Sequence, residues 1–172
     1  VETGMGDKWT PKQVSMYGIE RTKPLAETLF DITGCRADEI DIVINTHLHF
    51  DHAGGNTIDD FKFQILNFKL EDEDQGPKAE VQTPVPQFPN ARYLVSKSEF
   101  NAAELPHERD RASYLSENWQ PLIESKQLDL MPDRYEPVDG LVVEQVRGHS
   151  ETMQTVKLSR GGETLFGFFD MV

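Results

Sequence analysis

The chain has 172 residues, 37% of them hydrophobic, which is enough for one domain with a core and leaves no length that demands a second. Its 17 Lys+Arg against 30 Asp+Glu give a formal charge of −13, which repels polyanions and sets nucleic acid aside as a partner. No run reaches the ~18 to 20 apolar residues of a membrane span and no leader-like segment opens the chain, so the sequence reads as soluble, with no membrane partner.

Residues 1–6 read as the end of a strand running into a glycine turn. Leu25, Leu29 and Ile32 recur at helical spacing after Pro24, and Gly34 is placed to end that helix. Cys35, the single cysteine, excludes an internal disulfide and reads as incidental. Residues 40–45 are β-branched and almost continuously apolar, which predicts a strand buried on both faces. From 56 to 89 the pattern weakens. Glu71-Asp72-Glu73-Asp74 reads as a solvated run, Gly76-Pro77 breaks structure, and Pro84, Pro86 and Pro89 argue against regular elements. The expectation is a long loop insertion, either a lid or a surface or homodimer contact.

Tyr93-Leu94-Val95 predicts a short strand, and Ser96 with Glu99 three residues on is a capping-box signature for a helix from Lys97. Ser116 is expected to begin a helix carrying Trp119, Leu122 and Ile123 on one face, with Pro121 tolerated in its first turns. The remainder is strand-rich: 141–146, 153–158, then Arg160-Gly161-Gly162 as a hairpin turn into 164–169.

Three of the five histidines, His47, His49 and His52, fall within six positions together with Asp51, directly after the predicted strand at 40–45. Residues two apart in an extended loop project to one side, so His47 and His49 can chelate one ion, leaving Asp51 and His52 to a neighbouring position. His149 ends a predicted strand and supplies a third nitrogen. Asp170, at the end of the last strand, is a carboxylate placed to bridge two ions. Imidazole and carboxylate donors suit zinc as the default divalent ion, with iron, manganese and cobalt also compatible.

These pieces resemble the metallo-β-lactamase superfamily. The resemblance rests on Glu2-Thr3-Gly4, the His47 to His52 run with Ala53-Gly54-Gly55-Asn56 behind it, Gly148-His149, and Asp170. It implies an α/β fold of the αβ/βα sandwich type, residues 1–172 forming a single such domain, with a two-metal site: His47, His49 and His149 on one ion, Asp51 and His52 on the other, and Asp170 between them. The HLHFDHAGGN wording, the stretch at 88–95 and the segment at 108–114 look most like N-acyl homoserine lactonases and methyl-parathion-type hydrolases. Relatives usually carry a further histidine for the second metal beyond the bridging Asp. Here the sequence ends two residues past Asp170, and His107 reads as a surface residue. Thr152-Met153 stands where many relatives have another histidine, and Glu2 where Asp is common. The expectation is a fragment, incomplete at both ends.

The chemistry implied is metal-assisted hydrolysis of an ester-like bond in a small molecule, a lactone or related ester, by a hydroxide held between two ions, with Asp51 positioning it and handling its proton. The alternatives are a glyoxalase II-like thioesterase, a phosphotriesterase, or a non-catalytic metal-binding remnant.

Overall fold

The computed structural model describes residues 1–20, 23–59 and 83–170. Most of the expected loop insertion, with its acidic run, lies outside the described residues.

Helix α1 (Pro11–Tyr17) is made by its caps rather than by an apolar stripe. Thr10 Oγ1 accepts from Gln13 N–H, the Gln13 side chain accepts from Thr10 N–H, and Gly18 closes the helix at φ 62. With no buried residue and no periodic pattern, it was not predictable from hydrophobicity. Helix α2 (Leu25–Thr33) ends at Gly34, φ 74, as its sequence predicts. Its inner face places Leu25 and Leu29 on the core, whereas Ile32 in the last turn is exposed.

Strand β1 (Ile42–Ile44) pairs in parallel with β4 (Arg92–Ser96), which pairs in parallel with β5 (Leu128–Met131). Alternation along these strands divides the core. Val43 and Tyr93 face Phe88, Ala91 and Leu122, with Leu25 and Leu29 packed on them. Ile44 and Leu94 face Tyr135, Val143 and Val156 of a second sheet. That sheet is the antiparallel series β6 (Arg134–Val138), β7 (Leu141–Gln145), β8 (Gln154–Arg160) and β9 (Glu163–Gly167). Each fully buried aliphatic side chain here contributes about 1.5–3 kcal/mol of transfer free energy. The fold class is the expected one: an α/β sandwich of two sheets with helices on the outer face of the first.

Several local expectations need correction. Ile42 is exposed, so β1 is not buried on both faces along its whole length. Pro84 and Pro86 do not prevent structure: β3 (Pro84–Pro86) pairs with β2 (Thr57–Asp59) in a two-stranded ribbon, where a missing N–H can be tolerated at an edge. The helix expected from Ser116 is broken into a 3-10 turn (Ser116–Asn118) and the short α5 (Gln120–Glu124). Trp119 and Leu122 are buried but Ile123 is exposed. Strands β5 and β6 were missed. The β8–β9 hairpin turns on Gly161 and Gly162, both at positive φ, as predicted.

The N-terminal residues form no regular strand but lie directly on the turn after His52. Gly4 makes a single parallel bridge to Ala53, and Gly55 N–H donates to Gly4 C=O at 3.1 Å. A Cβ on Gly54 would sit 2.1 Å from Met5 O, and one on Gly55 2.4 Å from Thr3 O. The two backbones touch because neither glycine has a side chain. Gly54→Ala should therefore lower stability by at least about 1–3 kcal/mol in urea unfolding, the range for an overpacked site. Gly34→Ala, which meets no atom and only strains a left-handed φ, should cost about 1–2 kcal/mol. No destabilisation in Gly54→Ala would refute the contact.

Candidate metal centre

The backbone leaves the parallel sheet at Asn45, whose N–H still donates to Leu94 C=O at 2.9 Å. His47 and His49 follow and are buried. His49 is the N-cap of α3 (Phe50–Ala53), so Asp51 and His52 stand in a helical turn. The motif is thus half extended and half helical, not the continuous loop expected, because the chain turns at His49 to meet Ser113 C=O through Phe50 N–H. His149 lies between β7 and β8, and β8 is tied to the motif by Gln154 N–H donating to Thr46 C=O. Asp170 follows β9.

All six residues expected from the sequence converge. Among the described residues, His47, His49 and His149 form one group whose potential ligand atoms lie within 4.8 Å of one another, and Asp51, His52 and Asp170 form another. Glu2 with His47 and His52 forms a third. His149 Nε2 is 3.0 Å from His49 Nδ1. Asp170 Oδ2 is 3.1 Å from His52 Nε2 and 3.7 Å from His149 Nε2, so one oxygen stands between the first two groups. Asp51 Oδ2 is 3.5 Å from His52 Nε2. His107 is exposed and joins none of the groups.

Sequence reasoning did not assign Glu2 to the site. Its Oε2 accepts from His52 Nδ1 at 2.5 Å and its Oε1 accepts from Thr46 N–H at 2.7 Å, turning His52 Nε2 toward Asp51 and Asp170. Such carboxylate–imidazole pairs fix the tautomer and orientation of a metal-binding histidine. Glu2 does this from φ 63, a strained value for a residue with a side chain. Tyr114 was also missed as a site neighbour: its ring packs edge-on to His49 with centroids 4.7 Å apart.

The donor set fits a divalent cation. Ligating imidazoles must be neutral, and burial followed by the neighbouring His52, His49 and His149 pushes the His47 imidazole down to about 2. Burial, then His149, lowers His49 as well. With His47 Nδ1 beside Thr46 Oγ1 at 3.2 Å, its Nε2 is buried without a hydrogen-bond partner. That is a costly state for a nitrogen, and a shared cation would relieve it. In the metal-free protein His52 behaves oppositely, and an ion bound there would displace its proton. Burial disfavours its charge, but the hydrogen bond to Glu2 and the charges of Glu2, Asp51 and Asp170 outweigh burial and raise it to about 9.

A sequence model of the metallo-beta-lactamase superfamily matches residues 18–153. No curated protein matches the chain in sequence. Among solved structures, a probable metal-dependent hydrolase from Staphylococcus aureus is similar at 23% identity and a TM-score of 0.75, covering 96% of this chain and 51% of that one. An N-acyl homoserine lactone hydrolase with N-hexanoyl-L-homoserine at its catalytic metal centre is similar at 22% identity and a TM-score of 0.60, covering 93% and 53%. A dizinc quorum-quenching lactonase in complex with a product is similar at 20% identity and a TM-score of 0.60, covering 96% and 49%. The chain spans about half the length of these structures.

The electrostatics give a test on the metal-free protein. His52 has a folded value above its ordinary 6.5, so its stabilising contribution is complete below about pH 6.5 and is lost as pH rises through about 9. Glu2→Gln removes the hydrogen-bonded anion. In chelator, the decline of urea-unfolding stability between pH 6.5 and 9 should be shallower in Glu2→Gln than in the wild type. Equal slopes would remove Glu2 from this role.

Proposed function

The chain belongs to the metallo-β-lactamase superfamily, and we propose that it acts as a divalent-metal-dependent hydrolase on a small molecule bearing a lactone or related ester. The observation that carries this reading is the position of Asp170 Oδ2 between a three-histidine group and the Asp51–His52 pair. His47, His49 and His149 would hold one ion, Asp51 and His52 a second, and Asp170 both. Bound there, such ions supply Lewis acidity and lower the pKa of water to about 7.

The chain's own residues supply positioning and proton handling. Asp51 has the most open side chain of the group, 46% exposed against 15% for His52, and is placed to orient a water and accept its proton. Glu2 keeps the His52 ring fixed while that happens. Beside the site, Trp9, Tyr17 and Phe50 form an aromatic cluster with centroids 5.4 to 5.6 Å apart. The Trp9 indole N–H is anchored on Met5 C=O at 2.9 Å. This apolar wall adjoins His49 and Asp51 through Phe50, and it favours a neutral ester with an apolar portion over a polyanionic substrate. The net charge of −13 supports the same preference.

The test is elemental analysis of the purified protein, with turnover measured on an acyl homoserine lactone, a thioester and a phosphotriester. We expect bound zinc, iron, manganese or cobalt and the highest kcat/KM on the lactone. Fewer than about one metal per chain and no turnover of any substrate would leave a non-catalytic remnant. His47→Ala should reduce turnover by more than about 100-fold, since even an indirect partner of a ligand is worth about 10–100-fold. It should also lose metal; retained metal and rate would remove His47 from the site.

A further inference from the structure

Glu99 carries the sequence signature of a capping box, yet its side chain is used for something else. Ser96 Oγ accepts from Glu99 N–H at 3.1 Å and starts α4 (Lys97–Glu104), as expected. The Glu99 carboxylate, fully buried, does not return to the Ser96 backbone. Its Oε1 accepts from Leu48 N–H at 2.8 Å and from the Tyr114 hydroxyl at 3.1 Å, and its Oε2 accepts from the Thr152 hydroxyl. Each donor belongs to a segment next to a histidine of the first group. Leu48 lies between His47 and His49, Tyr114 packs on His49, and Thr152 is three residues past His149.

Among the described residues no Lys, Arg or His forms a salt bridge with Glu99. An uncompensated buried carboxylate is costly, and burial raises its carboxyl against the three hydrogen bonds that hold it down. The three-histidine group has the opposite deficit: it contains no carboxylate of its own, and Asp170, the nearest one, is shared with the second group. The two deficits cancel if they serve one another.

We propose that Glu99 is the positioning residue of the three-histidine group, its buried carboxylate fixing the segments that carry His47, His49 and His149 and adding, behind them, a second negative charge to that of Asp170. This rests on the reading of the site as a metal centre. Glu99 touches no reacting atom; it acts through Leu48, Tyr114 and Thr152.

The test is titration of chelator-stripped protein with zinc in competition with a chromophoric chelator, alongside urea unfolding of the metal-free form. Glu99→Gln keeps the shape and loses the charge. It should weaken the tightest metal-binding step by about 10–100-fold while the metal-free urea midpoint does not fall. A purely structural Glu99 would lower the metal-free midpoint and leave the affinity of folded molecules unchanged, which would overturn the proposal. If Glu99→Gln does not fold, Tyr114→Phe and Thr152→Val, each deleting one donor, take its place. Both should weaken zinc binding with the fold retained, and unchanged affinity in both would overturn the proposal. Wild-type protein that binds no zinc would remove the metal reading itself, a result distinct from a wild type that binds and a Glu99→Gln variant that binds equally.

Discussion

Four imidazoles, those of His47, His49, His52 and His149, crowd together edge-on or tilted, neighbouring ring centroids 4.2 to 5.4 Å apart, where the chain leaves β1. Two unit positive charges at ~4 Å repel by about 4 kcal/mol at an effective dielectric of 20, so this packing survives only if the rings are neutral, paired with carboxylates, or shared around a cation. The structure divides them accordingly. His47 and His49 are buried and kept neutral, whereas His52 is surrounded by Glu2, Asp51 and Asp170. Much of the surrounding architecture serves to hold the rings in that division.

The backbone shows how. Beyond Asn45 the motif is outside the parallel ladder, and its N–H groups need other partners. Thr46 N–H takes Glu2 and Leu48 N–H takes Glu99, so two carboxylates from distant parts of the chain flank His47. On the C-terminal side, Gly54 and Gly55 admit residues 3–5 into backbone contact. Lys8 closes the arrangement by donating to Gly54 C=O at 2.6 Å and Thr57 C=O at 2.9 Å. Burial lowers the Lys8 amine to about 8, against the attraction of Glu117, Asp59 and Asp7. The Glu2 contact, and with it the orientation of His52, depends on this N-terminal segment being seated.

What could be read from sequence follows from range. Elements set by local pattern were legible: α2 from Leu25, Leu29 and Gly34, β4 from Tyr93-Leu94-Val95, and the β8–β9 turn from Gly161-Gly162. So was the clustering of His47, His49, Asp51 and His52, because the chemistry needs those types close together in one segment. The proline-bearing β3 was misjudged because a pairing with Thr57–Asp59 decides it, and the rule against proline applies to central strands. Glu99 was legible as a cap partner and illegible as a site neighbour: its Ser96 contact is three residues away, whereas its Leu48 and Thr152 contacts span 51 and 53. Glu2 stood out as part of the Glu2-Thr3-Gly4 turn, but not as the partner of His52, which lies fifty residues on.

The two groups also differ in access, and that difference assigns them different work. His47 and His49 are shut away behind Leu48, Tyr114 and Glu99, and only His149 of that trio is partly open, at 34% of its side chain. Asp51 is exposed at 46%, and Asp170, at 35%, is about as open as His149. A site with fewer than four protein donors keeps a position for water or substrate, and the most open side chain marks where they enter. On the proposed hydrolase reading, a substrate carbonyl would meet the site from the Asp51 side, beside Phe50 and Trp9. Changes at Asp51 should be felt in catalysis and in the second ion together, and changes behind His47 in whether the first ion is held.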